Sequence, residues 1–307
     1  MKHSITRRRV LAAGAGLAAA LAVPGWASET TVGLRRRAIP GSGARIPVIG
    51  LGSWLTFDAG SVPHRRDNVR AVMQAFFDRG GGMIDSSPMY SSAQEVIGAG
   101  LSKIDNNQGL ISATKVWIPG RGTGIWQMES ALKLWGLESF DLLYVHNLLD
   151  WETHLPWMRE WQQQGKVSHI GVTTSHGRRH GELLDVMRKE KMDCVQFTYN
   201  ILDREAERRL LPVAQERGLA VIINRPFRGG SLFRRVRNQV LPGWAADIGI
   251  ENWAQYFLKF IVSHPAVTCA IPATSQVAHL HENMGALSGP LPDERMRQQM
   301  IRYYESL

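Results

Sequence analysis

Short apolar runs alternate with segments of helical periodicity along most of this chain. Eight of the runs have the length of a buried strand, and they cover residues 47–50, 83–85, 110–114, 142–146, 169–172, 194–197, 220–223 and 269–271. Residues 68–78 predict a helix with five apolar residues on one face, namely Val69, Val72, Met73, Phe76 and Phe77. Ser92 and Glu95 have the spacing of a capping box, and residues 205–216 form another helical pattern.

Strands that alternate with helices usually pair in parallel within one sheet. We therefore predict an α/β fold in which eight strands close into a (β/α)8 TIM barrel. A turn at residues 40–43, which hold one proline and two glycines, predicts an N-terminal β-hairpin before the barrel. An open, doubly wound sheet is the alternative, but residues 50–53 lack the third glycine and the following helix of its phosphate-binding turn.

The first 27 residues have the order of a secretory signal peptide. A basic start with Arg7, Arg8 and Arg9 precedes the small apolar residues 10–23, and Ala27 is suited to cleavage. The paired arginines resemble the twin-arginine class, which predicts export by the twin-arginine machinery to the periplasm or beyond. This prediction divides the chain into a signal peptide, residues 1–27, and one barrel domain, residues 28–307. An uncleaved membrane anchor is the alternative, although a span needs about 20 apolar residues.

Composition and charge narrow the classes of function. The 307 residues are 44% hydrophobic and 21% charged, as in an ordinary globular protein. The net charge of +9 falls to about +5 without the four basic residues of the first nine positions, so nucleic-acid binding is not expected. We expect a monomer with no membrane span in its mature form. Cys194 and Cys269 each begin a predicted strand and are interpreted as core thiols, with a disulfide as the alternative.

Four reactive side chains lie at or just after the ends of consecutive predicted strands. They are Asp85, Tyr90, Lys115 and His146. In a TIM barrel these strand ends meet at the mouth that carries the chemistry. A charge there is costly unless it is paired, so we expect Asp85 and Lys115 to form an ion pair. The ammonium group would lower the pKa of Tyr90 from about 10, and the phenol could then donate a proton to a carbonyl oxygen.

The same segments, in the same order, resemble the aldo-keto reductase family over residues 37–287. The matching segments are 46–54 for its first barrel strand, 84–90 for its Asp-to-Tyr signature, 112–117 and 141–146 for its lysine and histidine, and 199–204 and 271–283 for later landmarks. The resemblance implies a barrel that binds NAD(P)H across its mouth and interconverts aldehydes or ketones with alcohols by hydride transfer.

The resemblance also implies a role for each residue of the site. Tyr90 would be the general acid, and Lys115, paired with Asp85, would lower its pKa. His146 would orient the carbonyl group of the small-molecule substrate. Two tryptophans would line the substrate pocket, Trp54 and Trp117.

The residues that would hold the nicotinamide depart from the family pattern. The family usually has Ser-Asn after the fifth strand to bind the carboxamide, whereas this chain has Thr173 and Thr174. Thr174 cannot bond both ends of an amide. Gln196 matches the third amide-binding position. Asn224 takes the place of the aromatic ring that usually stacks on the nicotinamide, and Phe227 is a nearby substitute.

Phosphates and adenine would be bound at two further places. Arg225 and Arg228 follow the seventh strand, where they could clamp phosphates. The remaining predicted cofactor residues follow the last strand, and they are Thr274, Ser275, His279, Glu282 and Asn283. Thr274 and Ser275 would begin a helix whose free backbone N–H groups suit an anion such as a phosphate. The resemblance makes NADP(H) the expected cofactor. Ala273 and His279 replace the usual partners of its 2′-phosphate, however, so the choice between NADP(H) and NAD(H) stays open.

Two other functions remain open from the sequence. The altered cofactor positions favour a non-catalytic barrel that binds a small ligand or a partner. A barrel enzyme that uses a metal instead of nicotinamide is the other, because His176 and His180 have a spacing that could share a metal on a helix. Two ligands are too few for a site, so we expect no metal.

Overall fold

The computed structural model describes residues 35–307, and the predicted signal peptide, residues 1–27, lies outside the described residues. The described chain begins with an antiparallel hairpin of β1 (Arg36–Ala38) and β2 (Arg45–Pro47). Its turn contains Gly41 and Gly43, whose φ angles of 78° and 74° lie in the left-handed region that favours glycine. The predicted hairpin is therefore confirmed.

Eight parallel strands follow and form one sheet in the order of the sequence. They are β3 (Leu51–Gly52), β4 (Met83–Asp85), β5 (Ile111–Val116), β6 (Phe140–Val145), β7 (Val167–Thr173), β8 (Cys194–Thr198), β9 (Ala220–Asn224) and β10 (Cys269–Ala270). Isolated parallel bridges pair Ile49 with Ala270 and Gly52 with Ala273, so the first and last strands meet. The predicted (β/α)8 barrel is confirmed.

Helices connect the strands and follow the last one. Those of the described chain are α1 (Pro63–Asp78), α2 (Ala93–Leu101), α3 (Arg121–Trp135), α4 (Trp151–Gln163), α5 (His180–Lys189), α6 (Leu210–Glu216), α7 (Ser231–Val236), α8 (Trp253–Val262), α9 (Val277–Gly285) and α10 (Glu294–Ser306). In α1 the five predicted apolar residues are all buried, because that face packs on the barrel.

Three local predictions differ from the structure. Strand β3 begins at Leu51 rather than at residue 47, because Pro47 ends the hairpin strand β2. Ser92 precedes α2 but makes no side-chain cap, because its hydroxyl donates to Asp58 instead. Residues 205–208 form a 3-10 turn that is separate from α6.

The barrel wall is buried on both faces, as expected of parallel strands covered by helices. Every residue of β4 and β8 is buried. Helix α2 lies so close to α3 that a Cβ atom at Gly98 would come within 1.7 Å of the Leu134 carbonyl oxygen. Cys194 and Cys269 are buried free thiols, in agreement with their interpretation as core residues. No helix within residues 35–307 combines the length and the apolar character that crossing a membrane requires.

Candidate active site

The carboxyl ends of the strands surround a cavity of about 340 Å³. Among the residues predicted from the sequence, those that line it are Trp54, Asp85, Tyr90, His146, Gln196, Asn224, Arg225 and Phe227. The barrel therefore brings together residues that lie far apart in the chain. Trp117 does not line this cavity in the described chain, and its ring centroid lies 6.4 Å from that of His146.

A buried ion pair forms the base of the site. The Nζ atom of Lys115 lies 2.5 Å from Oδ1 of Asp85, and the two side chains are 0% and 2% exposed. The ammonium also donates to the carbonyl oxygen of Ser86 at 2.9 Å. Burial disfavours the charged ammonium, but Asp85 and Tyr90 outweigh this effect and raise the pKa of Lys115. Lys115 is therefore a fixed positive charge at neutral pH, as predicted.

Tyr90 lies directly beside this charge. Nζ of Lys115 is 5.3 Å from the centroid of the tyrosine ring, which also meets the His146 ring edge-on at 5.9 Å. Burial raises the pKa of Tyr90 by more than Lys115 lowers it, so the net direction is opposite to the one expected from the sequence. Tyr90 is consequently a protonated phenol at neutral pH, which is the form that can donate a proton.

His146 is held as a neutral imidazole. Its Nδ1 atom lies 2.8 Å from the hydroxyl oxygen of Ser87. Burial, aided by the charge of Lys115, lowers the pKa of His146 to about 3. Ser87 is not among the residues predicted from the sequence, although its place just after the end of β4 indicates that it could reach the mouth.

Gln196 connects the nicotinamide positions to the ion pair. Its Nε2 atom donates to Oδ2 of Asp85 at 2.9 Å, and its Oε1 atom accepts from Thr173 at 3.3 Å. Asn224 joins the same network by donating to Gln196 Oε1 at 3.4 Å and to the Thr174 carbonyl oxygen at 2.8 Å. The Thr174 hydroxyl is buried and has no hydrogen-bond partner within the described chain.

The loop after β9 forms one wall of the cavity. Arg225 lies with its guanidinium carbon 5.5 Å from the centroid of the Trp54 ring. Phe227 packs against Phe233 at a centroid distance of 4.9 Å and lines the cavity with it. Arg228 is exposed and pairs with Asp203 at 3.2 Å.

The predicted residues after the last strand lie outside the cavity lining. Helix α9 begins at Val277, so Thr274 and Ser275 precede it instead of opening it. The Thr274 hydroxyl accepts from the backbone N–H of Gln276 at 3.1 Å. Farther along, His279 is exposed, Glu282 is half-buried and Asn283 is buried.

The two histidines of the metal alternative are not placed as a pair of ligands. His176 precedes α5 and bonds Ser175 through Nδ1 at 3.0 Å, while His180 begins α5 and lies 3.5 Å from Glu205. Residues 35–307 contain no group of three or more side chains arranged to hold a metal ion.

The chain belongs to the aldo/keto reductase family, whose sequence profile matches residues 48–300. It is 26% identical over 248 residues to methylglyoxal reductase YeaE of Escherichia coli, covering 79% of this chain and 86% of that protein. It is 27% identical over 299 residues to L-glyceraldehyde 3-phosphate reductase of the same organism, covering 80% of this chain and 86% of that protein. An aldo/keto reductase from Klebsiella pneumoniae, crystallised with NADP and acetate, has the same fold, with a TM-score of 0.72 and 24% identity. The match covers 86% of this chain and 94% of that chain.

Proposed function

We propose that this family member reduces small aldehydes or ketones to alcohols with NADP(H), or runs the reverse reaction, with Tyr90 as the general acid. The observation that carries the proposal is the buried Asp85–Lys115 pair beneath a protonated Tyr90 and beside a neutral His146. The relatives' names, methylglyoxal reductase and L-glyceraldehyde 3-phosphate reductase, support small aldehydes as substrates.

Each residue has a chemical task in this proposal. When bound, the cofactor supplies the hydride that reduces the carbonyl carbon. Tyr90 donates its proton to the carbonyl oxygen, and Lys115 stabilises the phenolate that this leaves. Asp85 keeps Lys115 protonated although its ammonium group is fully buried. Neutral His146 has its Nδ1 atom engaged by Ser87, so Nε2 can donate a hydrogen bond to the carbonyl oxygen.

The residues present fit a nicotinamide cofactor in most respects. The buried hydroxyl of Thr174, which has no partner among residues 35–307, and the amide of Gln196 offer partners for a carboxamide. Gly229 and Gly230 of the loop after β9 line the cavity, and their φ angles of 62° and 81° lie in the left-handed region that favours glycine. Arg228 adds a cation at the same loop. The structural relatives crystallised with NADP or NADPH support this cofactor.

A Tyr90→Phe variant tests the role of Tyr90. The loss of the acid is expected to lower kcat for carbonyl reduction by about 10²–10⁴-fold with NADPH affinity unchanged. Tyr304→Phe is the matched control, because its hydroxyl lies on α10 without a hydrogen-bond partner in the described chain. Carbonyl reduction at the wild-type rate by Tyr90→Phe would refute the proposed mechanism.

One observation favours the alternative of a non-catalytic binding barrel. Asn224 replaces the stacking ring and already bonds the side chain of Gln196. Titration of the intact protein with NADPH and NADH, followed by tryptophan fluorescence, separates the two functions. Saturable binding supports the reductase, and its absence in a nucleotide-free sample would favour the alternative.

We also propose that the protein is exported by the twin-arginine route. The support is the sequence pattern of residues 1–27, and that route accepts folded proteins, so a bound cofactor could travel with the barrel. Replacement of Arg7 and Arg8 by lysine is expected to retain the protein in the cytoplasm of a host with this machinery. Unchanged export of the variant would contradict the proposal.

A further inference from the structure

Arg225 occupies an unusual position in the wall of the cavity. It directly follows strand β9 and has a φ angle of 50°, in the left-handed region that few side chains adopt. Its carbonyl oxygen accepts from Arg228 N at 2.9 Å and from Asn200 Nδ2 at 3.3 Å, which holds this conformation. Backbone strain of this kind is retained where the side chain it aims has a task. Here it aims the guanidinium across the face of Trp54, into the cavity that Tyr90 lines.

The charge of Arg225 has no partner within residues 35–307. No carboxylate oxygen of the described chain lies within 4.0 Å of its guanidinium. The carboxylate whose charge acts on Arg225 is that of Asp203. Its Oδ2 atom already pairs with Arg228 at 3.2 Å and accepts a hydrogen bond from Asn200 at 2.9 Å. The guanidinium also has no hydrogen-bond acceptor in the described chain, although its residue is only partly exposed. A partly buried cation without a partner gains from any anion that enters.

The other ionisable groups of the cavity lining leave this charge unbalanced. Asp85 is neutralised by Lys115 at 2.5 Å. His146 is neutral, and burial together with Arg225 and Arg178 lowers the pKa of His176. The described lining of the cavity therefore carries one net positive charge at neutral pH, on Arg225. A single negative charge on the ligand would balance it.

We propose that Arg225 binds a carboxylate of the substrate, so that the substrates of this enzyme are aldehydes or ketones that carry a carboxylate. This inference rests on the proposed reductase function, because the carbonyl group of the same molecule lies at Tyr90 and His146. A guanidinium pairs with a carboxylate through two parallel hydrogen bonds. One cation matches a monoanion better than a phosphate dianion. The lining of the same cavity includes the apolar side chains of Trp54 and Phe233, which suits a short carbon chain between the two groups.

The test compares matched substrates in three variants. The substrates are 4-oxobutanoate and its uncharged methyl ester, with glyceraldehyde 3-phosphate and glyceraldehyde as the phosphate pair. Arg225→Gln removes the charge, and Arg225→Lys keeps it without the bidentate geometry. Arg178→Gln is the control, because Arg178 is an exposed cation close to His176 that does not line the cavity. Thermal unfolding shows that each variant is folded.

The expected result is a loss of activity that is selective for the substrate with a carboxylate. Arg225→Gln lowers kcat/KM for 4-oxobutanoate at least tenfold relative to its ester, which corresponds to about 1.4 kcal/mol. Arg225→Lys restores part of this preference, Arg178→Gln leaves it intact, and NADPH affinity is unchanged. An equal loss for both substrates together with weaker NADPH binding would show that Arg225 is a cofactor contact. A larger effect on the phosphate pair would overturn the assignment to a carboxylate.

A binding measurement separates this inference from the proposed function. Benzoate and benzamide are titrated calorimetrically into the intact protein, with and without NADPH. If no carbonyl is reduced but benzoate binding depends on Arg225, the reductase function fails and the anion site stands. If the esters and acids are reduced alike and benzoate binds no better than benzamide, the reductase stands and the anion site fails.

Discussion

The buried pair of Lys115 and Asp85 allows a quantitative prediction. With 2.5 Å between the charged atoms, the attraction is about 7 kcal/mol at an effective dielectric constant of about 20. Removing each ion from water costs several kcal/mol, so most of that attraction is offset. A single substitution loses the attraction but leaves the other ion buried. Lys115→Met and Asp85→Asn should therefore each lower the free energy of unfolding by about 3–5 kcal/mol.

The double variant should be far less destabilised than the sum of the single variants. It removes both charges, so no unpaired ion remains in the core. The assay is urea unfolding at pH 7, followed by fluorescence and circular dichroism, with coincident transitions required. The exposed pair Arg121–Glu160, at 2.6 Å, gives the control cycle, for which a much smaller coupling is expected. Single-variant losses below about 1 kcal/mol, or strict additivity at Lys115 and Asp85, would refute the reasoning.

Three further predictions concern packing and protonation. Gly98→Ala should lower the free energy of unfolding by about 3 kcal/mol, because the added Cβ atom would meet the Leu134 carbonyl oxygen. Gly122→Ala should not destabilise the protein, because the space around Gly122 is open, and thermal unfolding compares the two variants. The ring protons of His146 should show no titration between pH 5 and 8 by NMR, since its pKa is about 3, and an inflection near 6.5 would contradict its burial. Burial lowers the pKa of Lys259 to about 8. Between pH 8 and 10.5 the unfolded state therefore binds more protons than the folded state, so the free energy of unfolding should rise with pH there. Lys259→Met should lose this rise, which urea unfolding at several pH values measures.

The sequence determined the architecture and the central ion pair. Eight apolar runs separated by helical segments require a parallel sheet, and their number favours closure of the barrel. Neighbouring parallel strands end at the same edge, so Asp85 and Lys115 could be paired without a structure. The sequence did not determine the start of the first barrel strand, because the pattern around Pro47 fits both a hairpin strand and a barrel strand. The capping-box spacing at Ser92 also did not produce a side-chain cap, since the Ser92 hydroxyl donates to Asp58.

Only the tertiary structure decided the balance of effects inside the cavity. The sequence predicts that Lys115 lowers the pKa of Tyr90, but burial, which no local pattern measures, outweighs that charge. Gln196 donates a hydrogen bond to Asp85, 111 residues earlier in the chain, because the closed barrel brings their strands together. Arg225 reads as one of several loop arginines until its backbone conformation aims it over Trp54. Residue types and strand order are local information, whereas solvation and the distance between distant segments depend on the packed whole.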